Sequence, residues 1–89
     1  MKIYRIYTEN TKRQPQVRKI LDTKLPGYTL IRGVGYWEGK QEQSLVIEHI
    51  GEPALAKTIL DIAKQIRIEN RQRSVLVTTQ DIDMEFVNE

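Results

Sequence analysis

GYTLIRGVGYWEGKQEQSLVIEHI, from Gly27 to Ile50, holds the only tryptophan of the chain and four of its five glycines. It reads as two antiparallel strands joined by a polar turn. The first runs from Tyr28 to Trp37 and is interrupted by Gly33 and Gly35, and glycine inside a strand marks a bulge or a close approach by another backbone or a ligand. Glu38 to Gln43 supplies the polar turn. The return strand, Ser44 to Ile50, sets Leu45, Ile47 and His49 on one face and Val46, Glu48 and Ile50 on the other, because successive side chains alternate across a strand.

The flanks are simpler. Lys2 to Thr8 is rich in Ile and Tyr, which suit a pleated surface. Pro15 fits the first turn of a helix, where its missing N–H costs nothing. Val17, Ile20 and Leu21 then form an apolar stripe, and Pro26-Gly27 ends that helix. After Ile50, Pro53 opens a second helix in which Leu55, Ile59, Ile62 and Ile66 recur at helical spacing, with Ala56 and Ala63 widening the stripe. Gln72 to Thr79 is a further strand. The tail Asp81-Ile82-Asp83-Met84-Glu85-Phe86 alternates acid and apolar at period two, which predicts a strand extension with an acidic outer face.

Strand–helix–strand–strand–helix–strand in 89 residues, with no linker or low-complexity run, predicts one domain spanning residues 1–89. Its class is α+β: a ferredoxin-like βαββαβ sandwich with an antiparallel sheet and two helices on one face. Apolar residues on both faces of the sheet strands then call for a covering partner or make an aromatic binding platform.

Composition narrows the function. Fourteen basic and twelve acidic residues give a net charge of +2, too even for the one-sided excess of a nucleic-acid binder. There is no cysteine, hence no disulfide framework or thiolate metal site. No stretch approaches the roughly 18 apolar residues of a membrane span, and the start has no apolar run of signal-peptide length. These features predict a cytoplasmic domain.

The pattern Gly27-Tyr28-Thr29, then Gly33 and Gly35, a polar turn, Leu45-Val46-Ile47-Glu48, an Ile-rich helix and Ser74-Val75-Leu76-Val77 resembles the PII signal-transduction superfamily. The segment Gly35-Tyr36-Trp37-Glu38-Gly39-Lys40 is similar to divalent-cation-tolerance proteins of the CutA type, which share that fold. The resemblance covers nearly the whole chain in short matches. It implies a homotrimer with ligands, small anions or nucleotides, in clefts between subunits. Nucleotide-binding members carry a Gly-Asp-Gly-Lys-like turn before the last core strand. This chain has Asn70-Arg71-Gln72-Arg73-Ser74 there, and an acidic tail where those proteins place arginines.

Arg32, Gly33, Gly35, Tyr36, Trp37 and Lys40 form the leading candidate ligand site: glycines admit close approach, an aromatic ring stacks a planar group, and cations hold an anion. The competing reading packs Tyr36 and Trp37 at a subunit interface. Arg71 and Arg73 stand where the resembled phosphate turn would be and complete an anion clamp. With Arg67 they also suit a helix C-terminus through the dipole. His49 alone is a weak metal ligand and reads as a buried, hydrogen-bonded or strand-end histidine. Asp81, Asp83 and Glu85 could hold a hard cation, or simply solubilise an edge. No phosphate loop, HExxH, GxSxG or catalytic cysteine is present. The reading that follows is a ligand- or partner-binding regulatory module, with no catalytic residues, no metal ligands and no cofactor identified. A pure assembly protein, and a small enzyme using His49, are the alternatives.

Overall fold

The alternation in Ser44–Ile50 sets the sheet. In the computed structural model, which describes residues 1–88, Leu45, Ile47 and His49 are buried beneath two helices while Val46 and Glu48 are only half-buried. The elements are β1 (Lys2–Glu9), α1 (Gln14–Lys24), β2 (Thr29–Trp37), β3 (Lys40–Gly51), α2 (Ala56–Glu69) and β4 (Leu76–Asp81), with a short 3-10 turn at Pro53–Leu55 before α2. The sheet order is β2-β3-β1-β4, and every pairing is antiparallel. This is the expected ferredoxin-like α+β sandwich.

The core lies between sheet and helices. Val17 and Leu21 from α1, and Ile59, Ile62, Ala63 and Ile66 from α2, close over Tyr4, Ile6, Leu45 and Ile47. The α2 stripe is the predicted one except that Ala56, in its first turn, is exposed. Tyr4 is buried at 1% exposure, and its hydroxyl donates to the Glu52 carbonyl at 2.6 Å. That bond spares a core aromatic the cost of an unpaired hydroxyl.

His49 is 8% exposed, and its Nδ1 meets the Gly27 carbonyl, tying β3 to the segment after α1. A carbonyl only accepts, so Nδ1 carries the proton. This is a buried, hydrogen-bonded histidine with a structural role.

The hairpin and the last strand differ most from the sequence reading. The polar turn is two residues, not six: Trp37 pairs with Lys40, and Glu38 and Gly39 take φ of 50° and 79°. Positive φ at both positions is the signature of a type I′ turn, whose twist matches the strands it joins. Residues 40–43 therefore belong to β3 and build a hairpin arm. Nor is there a bulge at Gly33 or Gly35, because β2 runs in unbroken register with β3. The last strand begins at Leu76 rather than Gln72 and ends at Asp81. Past it, the Ile82 amide donates to the Met1 carbonyl at 3.2 Å, and residues 83–88 pair with no strand of this chain. The predicted extension is thus confined to Asp81 and Ile82.

Lys2 and Asp81 face each other across β1 and β4 and form an ion pair. Their mutual hydrogen bond raises the Lys2 pKa and lowers that of Asp81. Burial, then the hydrogen bond to Asp22, raises that of Tyr28.

Apart from Ile3, which is 8% exposed, the sheet face away from the helices is open or half-buried in the single chain. Register places Ile31, Val46, Tyr7 and Leu76 in one row across all four strands. Ile31 is 45% and Leu76 48% exposed. Beside them Arg5 Nε donates to Glu48 Oε2 at 2.9 Å. Among the described residues no helix is long and apolar enough to cross a membrane.

Candidate functional site

The residues that follow α2 make a turn that glycine would ordinarily occupy. The Gln72 amide donates to the Arg67 carbonyl at 3.0 Å and the Arg71 amide to the Ile68 carbonyl at 3.1 Å. This is the paired closure of a Schellman motif, in which the residue after the cap is left-handed. Here that residue is Arg71, with φ of 54°.

Its neighbours are pinned to the end of β1. Asn70 Nδ2 donates to Thr8 Oγ1 at 3.0 Å and to the Glu9 carbonyl at 3.2 Å, while Thr11 Oγ1 donates to Asn70 Oδ1 at 2.9 Å. Gln72 Oε1 accepts from Thr8 Oγ1 and from the Glu9 amide. Both flanks of Arg71 are therefore fixed, and β4 starts late because Gln72 is bound to β1 by its side chain.

At the hairpin tip, Trp37 Nε1 donates to Glu42 Oε1 at 2.7 Å. Gly35 lies directly opposite Glu42 and on the same face as Trp37. A Cβ at Gly35 would stand 3.3 Å from Trp37 Nε1 and 2.5 Å from Ser44 Oγ. The glycine thus admits the indole to its position, and the expected close approach is made by a side chain. A Cβ at Gly33 would meet nothing within 4 Å.

The two glycines should therefore respond differently. Gly35→Ala is expected to break the Trp37–Glu42 bond, shift the emission of the only tryptophan and cost about 1–2 kcal/mol from crowding. Gly33→Ala should leave emission unchanged and stability within about 0.5 kcal/mol. Fluorescence and chemical denaturation of the two variants check this.

Hairpin tip and α2–β4 turn face each other across an open concavity of about 870 Å³. Trp37, Glu38 and Glu42 form one wall, Arg71, Gln72 and Arg73 the other, and Tyr7, Glu9 and Leu76 line it from the open sheet face. Of the residues singled out in the sequence, Trp37, Arg71 and Arg73 meet here. Gly33 and Gly35 lie on the same sheet face, and Lys40 pairs with Trp37. Arg32 and Tyr36 alternate to the other face of the arm, where Tyr36 is 68% exposed.

Among the lining residues that the sequence did not single out as site residues are Tyr7, Glu9, Glu38 and Glu42. Tyr7 was hidden in an ordinary strand, Glu9 lay just past that strand's predicted end at Thr8, and Glu38 and Glu42 stood in what read as a polar turn. A smaller hollow of about 480 Å³ lies beside it and also has Arg71 in its wall, but there Arg13 and Glu69 are already paired with each other.

The concavity offers a flat indole, two guanidiniums and three carboxylates. It can stack a ring, hold an anionic group through Arg71 and Arg73, and receive a positive centre. Among the described residues no three His, Cys, Asp or Glu side chains converge on a point where a metal would sit. His49 lies on the helix-covered side of the sheet, away from this site.

No protein-family model and no curated protein sequence matches the chain. Solved structures do share its fold. A nitrogen-regulatory PII-like protein of Thiomonas intermedia K12, solved with ADP, AMP and bicarbonate, superposes with a TM-score of 0.72 at 17% identity, covering 98% of this chain and 94% of the other. A phage S-adenosylmethionine lyase, solved without ligand, gives 0.71 at 17% identity, over 89% and 78%. A protein of Thermus thermophilus assigned as PII-like signalling gives 0.60 at 18% identity, over 89% and 82%. The fold is the PII-like one that the sequence pattern resembles.

Proposed function

We propose that this chain is a cytoplasmic, homotrimeric regulatory protein that binds a small ligand in the concavity between the hairpin tip and the α2–β4 turn. The observation that carries the reading is the meeting of Trp37 with Arg71 and Arg73, which are remote in sequence, in one concavity. Arg71 and Arg73 hold the ligand's anionic group, and Trp37 covers its planar part. The uncovered row Ile31–Val46–Tyr7–Leu76 packs against a second copy, so that clefts form between subunits. The arm carrying Arg32, Gly33, Gly35, Tyr36 and Lys40 then reaches a neighbouring subunit, where Arg32 and Tyr36 border the adjoining cleft. PII-like proteins of the same fold, one of them solved with ADP, AMP and bicarbonate, support the ligand class.

Light scattering should give about three times the 10.4 kDa chain mass. In a thermal-shift screen with AMP, ADP, bicarbonate and S-adenosylmethionine, at least one compound should raise the midpoint. Ligand at a hundred times its Kd adds about 2.7 kcal/mol, roughly 10 °C or more for a domain of this size. A single-chain mass would overturn the cleft. A trimer with no shift would make the protein an assembly module.

A further inference from the structure

Among the described residues, two non-glycine residues have positive φ, Glu38 at 50° and Arg71 at 54°. Left-handed backbone costs an ordinary L-residue of order 1 kcal/mol, and such outliers cluster at functional sites. These two lie in different turns, far apart in sequence. Each stands where glycine or asparagine would relax the turn. Yet both line the same concavity, from opposite walls, and they carry opposite charges.

The surrounding groups repeat that pairing. Arg73 stands beside Arg71 on the turn, and Glu42 stands beside Trp37 on the hairpin with one carboxylate oxygen bound to the indole. Glu9 adds a third carboxylate from the end of β1. Three carboxylates against two guanidiniums leave the lining formally one charge negative. A triphosphate would meet net repulsion there. A molecule with one anionic and one cationic group would find a partner for each. The aromatic face of Trp37 suits both a flat ring and a cationic centre.

We propose that the ligand of this site is zwitterionic: a flat-ring metabolite with a carboxylate or single phosphate held by Arg71 and Arg73 and a cationic centre held by Glu38, Glu42 and Trp37. A triphosphate is disfavoured by the same charges. This rests on the ligand-binding reading above and narrows it to one chemical class.

The test compares S-adenosylmethionine, S-adenosylhomocysteine, adenosine and ATP by isothermal titration calorimetry on the full chain. S-adenosylmethionine combines ring, carboxylate and two positive centres. S-adenosylhomocysteine lacks its sulfonium, adenosine lacks every charge, and ATP adds a polyanion. S-adenosylmethionine is expected to bind at least tenfold more tightly than adenosine or ATP, with S-adenosylhomocysteine in between.

Glu38→Gly and Arg71→Gly should each weaken S-adenosylmethionine at least tenfold while leaving the melting temperature unchanged or higher, since glycine relieves both turns. Binding lost together with a lowered melting temperature would mean that the two residues serve the fold, and would overturn the proposal. ATP bound more tightly than S-adenosylmethionine would overturn the zwitterion while leaving the site's function intact. Failure of S-adenosylmethionine to bind while AMP, ADP or bicarbonate does would overturn the zwitterion alone, and failure of every compound in both experiments would overturn the ligand-binding reading as well.

Discussion

Ile62→Ala should lower stability by about 3 kcal/mol, the middle of the range for truncating a buried isoleucine. Ile62 has no exposed surface and sits on α2, where the helix closes over Tyr4, Ile6, Leu45 and Ile47. Removing its outer carbons loses their transfer free energy and leaves a hollow that a two-layer sandwich cannot close by moving one helix alone. The better helix propensity of alanine returns only a few tenths of a kcal/mol. A domain of 89 residues is expected to be stable by about 4–13 kcal/mol, so the loss is a large share. The melting temperature should fall by roughly 10–20 °C. Leu60→Ala on the same helix is the control: Leu60 is 50% exposed, and its truncation should change stability by about 0.5 kcal/mol or less. Equal losses at the two positions would contradict the placement of the core.

Val46→Lys should reduce the solution mass about threefold, to that of one chain. Val46 stands inside the row formed with Ile31, Tyr7 and Leu76, on the sheet face that the helices do not cover. In the proposed trimer a second copy covers this row, and the carboxylate beside it, Glu48, is already paired with Arg5, so a buried ammonium there is left without a partner of its own. An unpaired charge in an interface core costs several kcal/mol, enough to dissociate a small assembly. In one chain the same face is open to water, so the lysine head group can stay solvated and the fold survives. Light scattering and far-ultraviolet circular dichroism together check this. A trimer that persists would mean that the row faces solvent and that subunits meet elsewhere.

The sequence was most legible where burial imposes a period. The α2 stripe and the alternation of Leu45, Ile47 and His49 report one covered face each, and the structure covers those faces. The hairpin arm was misjudged because it stands clear of the core. With both faces wet, Lys40-Gln41-Glu42-Gln43 carries no apolar alternation to mark it as strand, and it read as a turn. The late start of β4 was hidden for another reason. Gln72 and Asn70 hold the turn through side-chain bonds to Thr8 and Glu9, and such contacts leave no periodic trace. The same applies to the site. Trp37, Arg71 and Arg73 stood out by residue type, whereas Glu9 and Glu42 acquire meaning only once register and turn bring them to the same concavity. Glu38 and Arg71 are visible as strained positions only in the backbone, since a sequence does not print φ.

The central claim is that a ligand seats against Trp37 under Arg71 and Arg73. Because Trp37 is the only tryptophan, its emission reports that one place. The direct measurement is a fluorescence titration of the full chain with S-adenosylmethionine and with AMP. A saturable change in Trp37 emission, moved to at least tenfold higher concentration in Arg71→Gly, is the predicted result. Emission unmoved by either compound up to about a hundred times the Kd at which a thermal shift or calorimetry detects binding would place the ligand elsewhere and contradict the account.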